Sequence, residues 1–173
     1  MEVAASSVLL LPYTASSVGV ARRRLIGDLT QAGVWEGTAC DAGLVLSELI
    51  SNALRHATPL PGRTVKVAWN LRQDSVEVAV SDGGGPTMPV AAEPASSAIG
   101  GRGLGIVARL SLRWGVCVGG DYVGGDRRGG DGAEDGHRDC PGDGEPGETT
   151  VWAELPVRYG SQASLVTASS RDA

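Results

Sequence analysis

The sequence contains no phenylalanine and few other aromatic residues, four Trp and three Tyr. The hydrophobic core must therefore be built mainly from Val, Leu, Ile and Ala. Positive charge is also limited, since the formal net charge is −5 and Lys66 is the only lysine. Because nucleic-acid binding needs clustered cations that neutralise phosphates, this balance argues against a nucleic-acid partner. The three arginines at residues 22–24 are the one dense basic run, and we interpret them as a solvated helix face.

Long apolar runs are absent as well. No stretch approaches the roughly 20 apolar residues that a membrane-spanning helix needs. The short apolar run at residues 8–11 has no basic region before it, so we expect no signal peptide. The three cysteines, Cys40, Cys117 and Cys140, are scattered and odd in number, which predicts no disulfide framework. Together these features predict a cytoplasmic protein with no membrane partner.

The chain has 173 residues, enough for one domain with a sizeable core. Apolar residues recur at helical spacing in residues 16–33 and 38–57, with Ser16 or Ser17 as the N-cap of the first helix. Alternating apolar residues predict strands at residues 8–13, 65–71, 76–82, 114–118 and 149–155. The second and third of these are predicted to form a hairpin. A third helix follows residues 100–105. This order predicts an α/β fold of two layers, with a sheet that is at least partly antiparallel.

Residues 1–158 are predicted to form a single domain. Within it, residues 119–148 are dominated by Gly and Asp and contain almost no apolar residue. Such a segment cannot bury enough surface to offset chain entropy, so we predict that it is disordered or a long loop. The tail at residues 159–173 is rich in Ser and Ala and is predicted to be flexible.

Two polar residues lie one turn apart on the second predicted helix. Glu48 and Asn52 share a face beside the buried stripe that contains Leu46 and Ile50. An amide oxygen is a suitable ligand for Mg²⁺, and a carboxylate can orient water or accept a proton. On this pair alone, an ordinary polar helix flank is the better interpretation.

Asp82 ends the third predicted strand. It has the same strand parity as Val76, Val78 and Val80, so its carboxylate is expected on the buried face, where it needs a hydrogen-bonding partner. An adenine amino group is one candidate partner, and a turn backbone is the other. The glycines at residues 83–85 permit close approach of a flat ligand, although Asp-Gly is also a plain turn signal.

A glycine-rich segment at residues 100–105 opens the third predicted helix. Glycines expose backbone N–H groups and a helix N-terminus favours anions, so a triphosphate would fit here. The segment follows a loop rather than a strand, so it is not a dinucleotide-binding fingerprint. It also lacks the Gly-Lys-Ser/Thr ending of a P-loop.

The three motifs, in this order, resemble the GHKL ATPase superfamily. Residues 48–57 look like its N box, residues 82–85 like its first glycine box, and residues 101–105 like its second. Within that superfamily the chain is most similar to the small anti-sigma-factor serine kinases, over roughly residues 9–157 except the insert. The resemblance implies a two-layer α/β sandwich of the Bergerat type, in which a mixed, mostly antiparallel sheet carries helices on one face.

The resemblance also implies residue roles on the phosphate side. Asn52 would coordinate a Mg²⁺ ion that bridges the phosphates. Glu48 would act as a general base toward an incoming serine hydroxyl. The lid hinge and phosphate cradle would consist of Arg102, Gly103, Leu104 and Gly105.

On the adenine side, the resemblance assigns the hydrogen bond to the adenine amino group to Asp82. Gly84 would line the adenine pocket. Thr150, near the end of the sheet, would help to bind adenine through water, and Thr149 is the competing choice.

The function that the resemblance implies is a Mg²⁺-ATP-dependent protein serine/threonine kinase. It would phosphorylate an anti-anti-sigma, STAS-like partner and in its other state sequester a sigma factor, and relatives that dimerise through the first helix and the sheet suggest a homodimer. The presence of Glu48 favours a live kinase. The alternatives are an ATP-gated protein-binding regulator with little or no kinase activity and a structural α/β domain with no ligand. The insert between two core strands departs from the family pattern.

Overall fold

Six strands and three helices make up the part of the chain that the computed structural model describes, which is residues 5–86, 102–127, 140–141 and 145–160. None of the helices in those ranges is long and apolar enough to span a bilayer. The elements, in order, are β1 Ser6–Pro12, α1 Ser16–Gln31, α2 Glu36–His56, β2 Thr64–Leu71, β3 Ser75–Asp82, α3 Arg102–Leu110, β4 Arg113–Val118, β5 Asp121–Arg127 and β6 Thr149–Pro156.

The strands form one sheet in the order β1-β2-β3-β6-β4-β5, and all of the described pairs are antiparallel. Alternate strand residues such as Val67, Val78 and Ala153 are fully buried against helix residues such as Leu46 and Ile50. Because these alternate residues share one face of the sheet, all three described helices cover that face and none covers the opposite one. The predicted two-layer α/β sandwich is confirmed, with β1 as an edge strand.

The start of α1 differs from the prediction. Neither Ser16 nor Ser17 is the N-cap; Ala15 holds that position and makes no side-chain capping hydrogen bond. The Ser17 hydroxyl donates instead to the Pro12 carbonyl at 2.6 Å, and Ser17 is buried. The serine therefore ties the helix start to the end of β1 rather than satisfying the helix's own N–H groups.

The segment at residues 119–148 is not wholly irregular. It opens with β5, which pairs with β4 through a turn at Gly119 and Gly120. Both glycines have positive φ, 59° and 92°, as the tightest hairpin turns require. Backbone hydrogen bonds build such a hairpin without a large apolar contribution, and for this reason the composition argument missed it. Residues 128–139 and 142–144 of the predicted insert, and 161–173 of the predicted tail, lie outside the described residues.

A disulfide joins Cys117 and Cys140, so the expectation of no disulfide is wrong. Their Cα atoms are 6.2 Å apart although 23 residues separate them in sequence. Spacing alone gave no signal, because Cys140 returns to the sheet from a segment that looked unstructured. Cys40 is the remaining thiol, free and exposed on α2.

Candidate functional site

The carboxylate of Glu48 lies against the first turn of α3. A Cβ atom placed on Gly103 would stand 2.7 Å from Glu48 Oε2 and 3.7 Å from its Cδ, so only glycine permits this approach. Glu48 and Asn52 are both half-buried on α2, flanking the buried Leu49 and Ala53. The structure thus brings the N-box carboxylate to the N-terminus of α3, where backbone N–H groups point away from the helix.

The other residues of the second glycine box, Arg102, Leu104 and Gly105, differ in their surroundings. Leu104 is buried in the core, so its backbone alone is available to a ligand. A Cβ atom at Gly105 would meet no heavy atom within 4 Å, so space is open beside it. Arg102 begins α3, but the direction of its side chain lies outside the described residues, as do Gly100 and Gly101 and the predicted lid.

Asp82 ends β3 on the helix-covered face and is only 3% exposed. Its Oδ1 accepts a hydrogen bond from the Gly84 N–H at 2.8 Å. Burial raises the pKa of Asp82 to about 6, although the hydrogen bond from Gly84 acts to lower it. Gly84 has φ 75°, which favours glycine at this turn. A desolvated carboxylate of this kind is well suited to accept a hydrogen bond from a ligand amino group.

Thr58 joins the first glycine box to the end of α2. Its N–H donates to Gly84 O at 2.8 Å, its carbonyl accepts from Gly83 N at 2.9 Å, and its hydroxyl lies 3.0 and 2.9 Å from the carbonyl oxygens of Gly83 and Gly84. A Cβ atom at Gly85 would overlap the His56 carbonyl oxygen. The loop after Asp82 is therefore fixed to the C-terminus of the helix that carries Glu48.

Tyr13 fastens the same helix end from the other side. Its hydroxyl lies 2.5 Å from Ala53 O and 2.6 Å from Ala57 O, in the last turn of the helix. Burial raises the pKa of Tyr13, and the negative charge of Asp82 raises it further. Sequence reasoning missed Tyr13 and Thr58. The sequence signals available were the position of Tyr13 directly after an apolar strand and the position of Thr58 directly after the end of a helix.

Thr150 does not share the pocket with Asp82. The register pairs Asp82 with Thr149 and Ser81 with Thr150, so the two threonines point to opposite faces of the sheet. The Thr150 hydroxyl lies 2.7 Å from that of Ser81, and both residues are buried on the face away from the helices. Thr149 Oγ1 instead lies 3.2 Å from the Cβ position of Gly84. The structure therefore places Thr149, and not Thr150, beside Gly84 and on the same face of the sheet as Asp82.

Helix α2 connects the region beside α3 with the loop that follows Asp82, and its length sets the distance between them. Eight residues separate Glu48, beside α3, from His56, beside the loop that follows Asp82, which is a rise of about 12 Å. An adenine ring and the far end of a triphosphate are separated by a distance of this order. A group of three or more His, Cys, Asp or Glu residues that would hold a metal is not found among the described residues. Asn52, half-buried on α2, carries an amide oxygen that could hold Mg²⁺ together with phosphate oxygens, a common arrangement for this ion.

Comparison with known proteins identifies a family and a similar fold. Residues 11–116 match the histidine kinase-like ATPase domain family. A search among curated protein sequences finds no match. The structure is similar to "The crystal structure of the RsbU and RsbW domains of Rv1364c from Mycobacterium tuberculosis", with a TM-score of 0.56 and 16% identity over 88% of this chain and 33% of that chain. At this identity the likeness concerns the fold. Because the family match spans more than half of the sequence, the protein belongs to the histidine kinase-like ATPase domain family.

Proposed function

We propose that the protein is a Mg²⁺-ATP-dependent protein serine/threonine kinase of the anti-sigma-factor type. Family membership implies ATP as the ligand. The observation that carries the catalytic part is the position of Glu48, whose carboxylate lies against the first turn of α3. Phosphoryl transfer depends mostly on positioning and charge stabilisation, so a correctly placed carboxylate and a Mg²⁺ ligand are sufficient protein parts.

The adenine half of the proposed site is built by Asp82, Gly84 and Thr149. The buried Asp82 carboxylate accepts a hydrogen bond from the adenine amino group. Gly84 brings the backbone close to the ring, and the Thr149 hydroxyl replaces Thr150 as the second polar contact. Thr58 ties the loop that contains Gly84 to the end of α2, and the Tyr13 hydroxyl contacts carbonyl groups at the same helix end.

The phosphate half is built by the N-terminus of α3 and by Asn52. Backbone N–H groups from Arg102 to Gly105 bind phosphate oxygens, aided by the positive end of the helix dipole. Asn52 would hold Mg²⁺, which when bound neutralises charge on the phosphates. Glu48 orients the serine hydroxyl and accepts its proton.

The proposed protein partners are a STAS-like anti-anti-sigma protein as substrate and a sigma factor as the sequestered partner. The resemblance of the three motifs to anti-sigma-factor serine kinases supports this pairing, and so does the likeness of fold to a structure that contains an RsbW domain.

The proposed activity is tested by incubating the protein with γ-labelled ATP, Mg²⁺ and a panel of STAS-like proteins encoded in the same genome. We expect label on a serine of at least one panel member. ATP binding without label transfer to any of them would favour the ATP-gated regulator instead.

Gly103→Ala is expected to lower phosphoryl transfer by roughly tenfold to a hundredfold. The added methyl group would stand 2.7 Å from Glu48 Oε2, so the carboxylate must swing away from its position. Because the displaced atom ends a flexible side chain, the fold should survive, and ATP should still bind. The matched control is Gly27→Ala on α1, where a Cβ atom meets nothing within 4 Å. Equal initial rates for Gly103→Ala and the wild type would contradict this placement of Glu48.

Thr149→Val and Thr150→Val are expected to change different properties, the first ATP affinity and the second the stability of the fold. Removing the Thr149 hydroxyl should weaken ATP binding by about fivefold, the value of one hydrogen bond. Removing the Thr150 hydroxyl should leave ATP affinity unchanged but cost about 1–3 kcal/mol of unfolding free energy, because the buried Ser81 hydroxyl loses its partner. Calorimetric titration and urea unfolding of both variants measure the two effects. An affinity loss confined to Thr150→Val would restore the original assignment.

A further inference from the structure

The disulfide lies on the face of the sheet opposite the helices. Cys117 is 2% exposed on β4, and its register partner is Thr150, whose hydroxyl meets Ser81 on that face. A small apolar cluster forms around it from Ala79 and Trp152, with Ala68 and Cys140 packed at its edge. The pairing with Cys140 therefore carries a distant chain segment onto the middle of the sheet.

Cys140 and Pro141 cover part of this face. Cys140 is half-buried, and Pro141 forms one wall of a groove of about 570 Å³ whose floor includes Ala68 and Ala79. Because β5 ends at Arg127 opposite Arg113, and β6 begins at Thr149 opposite Val118, the chain between β5 and β6 must pass from one end of the sheet to the other. Within this connection, the disulfide fixes Cys140 to β4 of the sheet.

The returning stem of the connection reaches the nucleotide pocket. Gly119 N donates to Glu148 O at 2.9 Å, and Glu148 Oε2 forms an ion pair with Lys66 at 2.6 Å. The next residue, Thr149, borders Gly84, and Gly147 O lies 4.0 Å from the Cβ position of Gly84. The tethered segment thus ends at the groups that face Asp82.

We infer that Cys117 and Cys140 form a thiol–disulfide exchange site that controls the ATP pocket through the stem at residues 145–149. In the disulfide form the stem is held in place and the adenine side is pre-organised. In the dithiol form the stem is released, and part of the binding free energy is used to order it. This inference rests on the proposed ATP-binding function.

The exchange partner is a low-molecular-weight disulfide such as oxidised glutathione. The Cys140 thiolate, the more exposed of the two, attacks a sulfur of that disulfide, forming a mixed disulfide and releasing one glutathione thiolate. The Cys117 thiolate then attacks the Cys140 sulfur and releases the second glutathione thiolate. Two protein thiols thereby lose two electrons and two protons, and one glutathione disulfide is reduced to two thiols. A dithiol reductant such as dithiothreitol reverses the reaction.

The test compares oxidised and dithiothreitol-treated full-length protein with the variants Cys140→Ser and Cys40→Ser. Free thiols are counted after denaturation, Mg²⁺-ATP affinity is measured by calorimetry, and hydrogen exchange is followed at the Gly119 amide. Cys40→Ser is the matched control, because that thiol is exposed on α2 and unpaired in the structure. We expect one free thiol in the oxidised wild type and three after reduction.

We expect reduction to weaken ATP binding by roughly fivefold or more in the wild type and in Cys40→Ser. Cys140→Ser should match the reduced wild type and be insensitive to reductant. Three free thiols after incubation with oxidised glutathione, or equal ATP affinity in both redox forms, would overturn the inference. If neither form binds ATP, the proposed function fails. The tether is then judged by the Gly119 amide, where faster exchange on reduction supports it and unchanged exchange rejects it.

Discussion

Glu48→Gln is expected to lower phosphoryl transfer by about 100-fold or more while ATP still binds. The amide keeps the size of the carboxylate and its place against Gly103, but it cannot accept the serine proton. The nucleotide contacts at Asp82 and at the start of α3 are untouched, so binding and chemistry should separate cleanly. Single-turnover transfer to the partner protein and calorimetric titration of Mg²⁺-ATP measure the two quantities.

The matched control for this variant is Asp41→Asn. Asp41 is exposed on the same helix, so the substitution makes the same change of charge away from the pocket. Transfer by Asp41→Asn should equal that of the wild type. Undiminished transfer by Glu48→Gln would show that another group accepts the proton, and the catalytic role proposed for Glu48 would be wrong.

Asp82→Asn is expected to weaken ATP binding by about 100-fold. In the wild type, one carboxylate can accept both the Gly84 N–H, at 2.8 Å, and a ligand amino group. The replacing amide has only one oxygen. If that oxygen accepts from Gly84, the NH₂ group faces the adenine amino group, and two donors then oppose each other. Mg²⁺-ATP titrations of the wild type and the variant should show the loss directly.

The same substitution is expected to stabilise the protein at neutral pH. The pKa of Asp82 is about 6 in the folded chain, above its ordinary value of 3.8. Between these values the folded protein binds more protons than the unfolded chain, so stability falls as pH rises through this window, and the full cost applies above it. That cost is up to about 3 kcal/mol. Asp82→Asn should therefore be more stable than the wild type at pH 7.5, with the difference shrinking toward pH 4.

Urea unfolding at the two pH values checks this prediction. A variant that is less stable at pH 7.5, or a difference that is the same at both pH values, would contradict the buried, ionised state assigned to Asp82. A residue whose removal lowers affinity and raises stability is one retained for binding rather than for the fold.

Much of the site could be predicted from local patterns. The parity of Val76, Val78 and Val80 correctly placed Asp82 on the buried face. The four-residue spacing of Glu48 and Asn52 depends only on helix geometry, and both are half-buried where that geometry puts them. Such predictions succeed because each depends on one element and not on how elements meet.

Contacts between elements were harder to predict. Thr149 shares its parity with Val151 and Ala153, so alternation should have chosen it over Thr150. The alternation was hard to interpret because β6 has apolar residues on both faces, with Trp152 buried on the face opposite Val151 and Ala153. A shift of one residue in a strand moves every side chain to the other face of the sheet. The Cys117–Cys140 disulfide depends on where a polar segment returns to the sheet, which composition does not encode.

The central claim, that this chain binds ATP with the adenine at Asp82, is tested most directly by calorimetric titration with ATP and with GTP at pH 7.5 in the presence of Mg²⁺. We predict saturable binding of one ATP per chain. GTP should bind at least about 100-fold more weakly, because its 6-oxo group would face the Asp82 carboxylate, acceptor against acceptor. No binding of ATP, or equal affinity for the two nucleotides, would contradict the claim.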